Sequence, residues 1–150
     1  MTGRILIPVS RILLGAAFLL FGLNGFMQFL PAPPPLPAQA MGFVEALMAT
    51  GYLIPLVKGI EVIAGALLLL NRFVPLALTL LAPLLVNIVA FHVFLAPAGT
   101  LIPLVLLAAE LYLAWSYRQV FAAMLARRAE TKGASSMSPA RPLDRRSLAH

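Results

Sequence analysis

The chain has 150 residues, 61% of them hydrophobic and 11% charged, with a mean hydropathy of +0.96. A soluble domain is nearer half apolar and a quarter charged, so this composition excludes an ordinary water-facing domain. The lack of cysteine excludes disulfides, paired-cysteine redox centres, iron–sulfur ligation and thiolate zinc sites. The net charge of +6 does not point to nucleic acid. Seven of the eleven basic residues (Arg118, Arg127, Arg128, Lys132, Arg141, Arg145, Arg146) lie at or beyond the end of the last apolar block. There they suit helix orientation and anionic lipid headgroups.

Four apolar blocks follow in chain order: about Ile5–Leu30, Leu53–Leu70, Phe73–Leu95 and Leu101–Phe121. Each is near or above the roughly 20 residues that a helix needs to cross hydrocarbon. The pattern predicts an all-α fold, a transmembrane four-helix bundle over residues 1–126. A basic tail over 127–150, rich in Ser, Ala, Pro and Arg, is expected to be disordered in the cytoplasm. Prolines fall near the block starts (Pro8, Pro55, Pro75, Pro103), where a missing N–H costs little. The long first block with Pro8 is expected to tilt or to start irregularly. Pro83 lies in mid-block, where it should kink the third helix and free the Thr79 carbonyl.

Residues 31–52 and the link Ala96–Thr100 carry no Lys or Arg, whereas Arg4, Arg72 and the tail are basic. This asymmetry predicts a multi-pass protein with both termini cytoplasmic. Tyr112, Trp115 and Tyr117 near the end of the fourth block fit an interfacial aromatic belt. The outer loop opens with Pro31-Ala32-Pro33-Pro34-Pro35-Leu36-Pro37, a stiff polyproline II spacer. Ala40–Thr50 then shows helical spacing of apolar residues around Glu45, as in a helix lying on the outer surface. Ala38-Gln39-Ala40 has the form of a signal-peptidase site, but the preceding apolar run is too long, so the first block reads as an uncleaved anchor. An internal echo joins Leu53-Ile54-Pro55-Leu56-Val57 to Leu101-Ile102-Pro103-Leu104-Val105, and Phe26-Met27-Gln28-Phe29-Leu30 to Phe91-His92-Val93-Phe94-Leu95. It suggests two similar helical hairpins.

Polar residues inside the blocks are the candidate site. A charge in hydrocarbon costs roughly 2.5 kcal/mol or more, so such residues face the bundle interior and find partners. Arg11, Lys58, Glu61 and Glu110 qualify, with Asn24, Asn87 and His92. At about 1.5 Å per residue from the cytoplasmic ends, Arg11, Glu110 and Glu61 fall at about 10, 12 and 15 Å. One guanidinium between two carboxylates is the expected inner layer. Lys58, Asn87, His92 and Asn24 form an outer one, and Lys58 and Glu61, three residues apart, can pair within one helix. Arg11, Gly15, Phe18, Gly22 and Phe26 share a face, as do Glu61 and Gly65, so glycines are expected at a close helix contact. The bland alternatives stand beside these. The charged layer suits a registry device as well as a functional site, and Arg11 alone can snorkel to headgroups. With no second intramembrane histidine and no metal-ligand spacing, neither haem nor metal is expected, and catalytic residues stay unassigned.

The stretch Arg11-x-Leu-Leu-Gly15 with Phe18-Leu-Leu-Phe-Gly22, the Thr50-Gly51-Tyr52 lead into Glu61-Val-Ile-Ala-Gly65, and a third block ending in His92 resemble the DoxX family of small bacterial membrane proteins. The likeness covers about residues 8–118. It implies a four-helix bundle in the bacterial cytoplasmic membrane, and for some members a small subunit of thiosulfate:quinone oxidoreductase or a place in oxidative-stress complexes. Relatives often carry a Lys near the outer end of the first helix, where this chain reads Leu23-Asn24-Gly25-Phe26; Lys58 is the candidate replacement. The resemblance thus implies an accessory subunit of a quinone-linked redox system, with quinone as the ligand. The alternatives are a non-catalytic assembly partner of another membrane protein, or a small proton-coupled transporter acting as a homo-oligomer. The bilayer is the expected surrounding in every case, and nucleic acid in none.

Overall fold

The computed structural model of the protein describes residues 2–31 and 34–124; the tail over 127–150 expected to be disordered, and Ala32-Pro33 of the proline-rich stretch, lie outside the described residues. Every regular element among the described residues is helical: α1 (Thr2–Met27), α2 (Ala38–Ala49), α3 (Leu53–Leu69), α4 (Val74–Phe94), a 3-10 turn (Pro97–Gly99), α5 (Leu101–Ser116) and α6 (Arg118–Met124). α1 and α4 are each long and apolar enough to cross a membrane, over Ile5–Met27 and Val74–Phe94. α2 and α3 qualify only as a pair, bent by 92° at their junction. α5 is apolar but has 16 residues, about 24 Å at 1.5 Å per residue. Two to three helices of membrane-spanning length therefore stand where the sequence blocks suggested four.

Local chemistry explains these boundaries. Pro55 and Pro103 each take the third position of their helices and Pro75 the second, where a backbone donor is unpaired anyway. Pro8 does not mark a start, because α1 already begins at Thr2. α4 continues through Pro83 as one helix from Val74 to Phe94, and the Thr79 hydroxyl donates back to the Pro75 carbonyl at 2.9 Å. α3 ends in a Schellman motif: Arg72 N–H donates to Leu67 O at 2.9 Å and Asn71 N–H to Leu68 O at 3.1 Å. Asn71 holds the left-handed position at φ 54°, a role its short side chain tolerates. The fourth block is cut at Tyr117, whose φ and ψ of −98° and 14° leave the helix. Arg118 closes that end, with its guanidinium 5.3 Å from the Trp115 ring centre and donating to the Trp115 carbonyl at 3.2 Å.

α1 runs antiparallel to α3. A Cβ at Gly15 would meet Leu68 Cβ at 3.0 Å, one at Gly22 would meet Val62 N at 2.9 Å, and one at Gly25 would meet Lys58 Cγ at 2.5 Å. Numbers rise along α1 as they fall along α3. A Cβ at Gly65 would lie 2.6 Å from Leu19 N, a backbone atom that cannot step aside. The expected glycine contact is thus present, and it is why α1 and α3 share the most extensive interface. α1 also touches α5, α3 touches α4, and α4 touches α5, so the four close a ring in the order α1, α3, α4, α5. The hairpin reading pairs α1 with α3 and α4 with α5, and both pairs pack. Their links differ, since one carries α2 and the other only a 3-10 turn.

Inside the ring, Leu14 and Phe18 meet Ala64 and Leu68, Val74 to Leu85 of α4, and Leu106 and Leu113 of α5. Most of this core lies in the half of the ring that holds the α3–α4 turn. The other half is filled differently. α2 lies across it, with Ala40 fully buried and the Phe43 ring 5.7 Å from Phe91 of α4. Pro37, at φ −54° and ψ 150°, leads into α2 in the polyproline II region. Ala38-Gln39-Ala40 is the first turn of this helix.

Candidate functional site

Under α2 the ring holds a half-open cavity of about 870 Å³. Its walls are mainly apolar: Phe18 and Phe21 of α1, Phe43 and Leu47 of α2, Val57 of α3, Leu84 and Phe91 of α4, and Leu106 of α5. Five of the seven candidate polar residues line it as well, namely Asn24, Lys58, Glu61, Asn87 and His92. A mostly apolar pocket with a few convergent polar groups is the usual form of a small-molecule site.

Each polar group is held by a specific feature of its helix. Lys58 Nζ lies 2.8 Å from Glu61 Oε2, the pair expected from their spacing. Glu61 is 2% exposed, and this ammonium is its one ionic partner among the described residues, while the Lys58 side chain keeps 25% of its surface. The stem of Lys58 crosses Gly25 of α1, where no side chain stands in its way. Asn24 sits at the last turn of α1. Its Oδ1 accepts the Leu30 N–H at 2.7 Å, and its carbonyl accepts the Gln28 N–H at 2.9 Å, which fixes the chain as it leaves the helix through Gln28 at φ 48°. His92 Nδ1 lies 2.8 Å from the Ile88 carbonyl, and the ring meets Phe91 edge-on at 5.2 Å. Asn87 has no side-chain hydrogen bond among the described residues. Counting from the helix ends nearest α2, His92 and Asn24 lie about 3–5 Å down and Lys58, Asn87 and Glu61 about 7–12 Å down.

The inner layer is not assembled as expected. Arg11 does not bridge carboxylates. Its Nη1 donates to the Leu68 carbonyl and, at 3.3 Å, to the Leu69 carbonyl, at the end of α3. A cation on the last carbonyls of a helix meets the negative end of its dipole. Glu110 is 4% exposed and lies outside the cavity lining, and its Oε1 has no hydrogen-bond partner among the described residues. Among the described residues the one ion pair is Lys58–Glu61, and no three His, Asp or Glu residues come together.

Sequence reasoning expected the α2 helix and the Phe18 face but missed that α2 covers a cavity, that Phe21, Phe43 and Phe91 wall it, and that Gly99 lies against the His92 ring. The signals were there as small residues beside polar ones, Asn24-Gly25 and His92 with Gly99 across a short link. No family model, curated protein or solved structure matches this chain.

Proposed function

We propose that the chain is a four-helix integral protein of the bacterial cytoplasmic membrane, DoxX-like, with both termini cytoplasmic, and that its outer cavity binds a hydrophobic ligand with a polar ring, of the quinone class. It would serve as an accessory subunit of a quinone-linked redox system. The observation that carries this reading is the 870 Å³ cavity into which the Lys58–Glu61 pair, Asn24, Asn87 and His92 converge from three helices. Lys58 reaching across Gly25 also supports it, since that puts a lysine where relatives of the resembled family carry one on the first helix.

A bound quinone would supply two-electron, two-proton redox chemistry. The chain's own part is to seat the ring among Phe18, Phe21, Phe43 and Phe91, to offer an ammonium donor from Lys58 to a carbonyl oxygen, and to hold a carboxyl at Glu61 within reach of a proton. Mass spectrometry of the gently purified protein tests this directly. Wild type should carry a quinone or its reduced quinol, and Glu61→Gln should carry at least several-fold less. Wild type free of any quinone, with no electron-transfer protein beside it, would sink the redox reading.

A second reading, a non-catalytic assembly partner, is favoured by Arg11. That residue serves helix ending rather than chemistry. Co-isolation of one membrane partner that is retained in Glu61→Gln and Lys58→Met would favour it over ligand binding.

A further inference from the structure

The orientation of His92 restricts what the cavity can hold, on the footing that it holds a small amphiphile at all. A carbonyl oxygen only accepts hydrogen bonds, so the nitrogen 2.8 Å from Ile88 O is the one that carries the proton in the neutral imidazole. Nε2 is then left with its lone pair. No protein donor reaches Nε2 among the described residues, and His92 lines the cavity. The ring edge that bears it lies against Gly99 in the 3-10 turn: a Cβ there would come within 3.1 Å of Nε2 and 2.8 Å of Cδ2. Gly99 has no left-handed backbone to explain it, so the space it leaves is what matters at this position.

We infer that the cavity selects an amphiphile whose polar end carries a hydroxyl or N–H donor, which hydrogen-bonds to His92 Nε2 (within the quinone class, the reduced quinol rather than the oxidised quinone), and that Gly99 is the positioning residue that keeps this nitrogen in place. An acceptor-only headgroup of the same shape leaves the lone pair of Nε2 facing another lone pair. A site built to bond a donor discriminates against the analogue lacking it, because the half-buried acceptor in the cavity wall is then covered by the ligand and left unpaired.

The test uses the full chain in nanodiscs and two probes matched in shape: 4-nonylphenol, a donor, and 4-nonylanisole, its methyl ether. Partition into empty nanodiscs is subtracted. Wild type should bind the phenol about tenfold more tightly, the worth of one hydrogen bond with its partner otherwise unpaired. His92→Phe should bring the two probes to within about twofold of each other. Gly99→Ala should weaken the phenol and leave the ether unchanged. Equal binding of both probes to wild type, or a preference that survives His92→Phe, overturns the inference and leaves the cavity reading intact. Binding of neither probe overturns both. Should His92→Phe fail to fold, the ¹⁵N spectrum of histidine-labelled wild type decides, since the chain has two histidines. Nε2 of His92 should be unprotonated and should shift when the phenol is added; a proton on Nε2 before addition overturns the inference.

Discussion

The inner and outer halves of the helix ring are built from the same kinds of residue and put to opposite ends. Toward the α3–α4 turn, Leu14, Leu68, Leu81, Leu85 and Leu113 are fully buried, two arginines close the ends of α3 and α5, and glycines press α1 onto α3. Toward α2 the aromatics stand apart around a cavity, and the polar residues face into it. Close packing in a membrane protein rests on van der Waals contact, because lipid offers no hydrophobic penalty for leaving. The inner half is where that contact is spent, and it leaves the outer half free to stay open.

The comparison breaks most readily at Gly65. Gly65→Val sets a side chain against backbone atoms of Leu19 and Gly15. Overpacking of this kind costs about 1–3 kcal/mol and has no flexible neighbour to absorb it. The expected result is loss of the folded species in a detergent melting assay, and a melting midpoint equal to wild type would refute the dependence of the ring on this contact. Glu61→Ala comes next. It leaves the Lys58 ammonium part-buried without its partner, for about 2 kcal/mol after allowance for the exposure of Lys58. The double change Lys58→Met with Glu61→Leu should recover most of that loss in the same assay.

Arg11→Met keeps the stem and removes the donor from the Leu68 and Leu69 carbonyls, for about 1–2 kcal/mol. Hydrogen exchange at the last turn of α3 should rise while the cavity end is unchanged. Equal protection at Leu70 to Arg72 would show that the guanidinium does not cap. Leu84→Trp, in the cavity wall, sharpens the contrast from the other side. It should cost about 1 kcal/mol or less, since the added ring has the cavity to grow into although Leu84 also touches the core, and it should abolish ligand retention. The smallest effect belongs to Glu110→Leu, which removes an unpartnered buried oxygen and should be neutral or slightly stabilising. A marked loss of stability there would mean that Glu110 has a partner outside the described residues.

Much of the helical layout was legible because apolar length and proline position are local properties. Leu53 and Leu101 open helices where the prolines two residues later predict. The Lys58–Glu61 pair and the Gly15, Gly22 and Gly65 contact were legible for the same reason, as helix periodicity alone brings those groups to one face. The partner of Arg11 was not. Depth along a helix gives height in the ring but not direction around it, and the sequence marks carboxylates while leaving backbone carbonyls silent. The length of the fourth block also misled, because Tyr117 and Arg118 end α5 by a local cap inside an apolar run. The cavity was the least legible, being a place where side chains from five helices fail to meet.

The ring order has a consequence for the bilayer in the proposed setting. α1 and α4, with 26 and 21 residues, face each other across one diagonal, and α3 and α5, with 17 and 16, across the other. The hydrophobic belt of such a ring is saddle-shaped, tall on two sides and low on two. If all four cross the bilayer as proposed, lipid would thin beside α3 and α5, at a modest cost per ångström of mismatch. That thinning would bring headgroups closer to Lys58 on α3 than a uniform slab would allow, so the protein would shape its own solvent on the side where the Lys58–Glu61 pair lies.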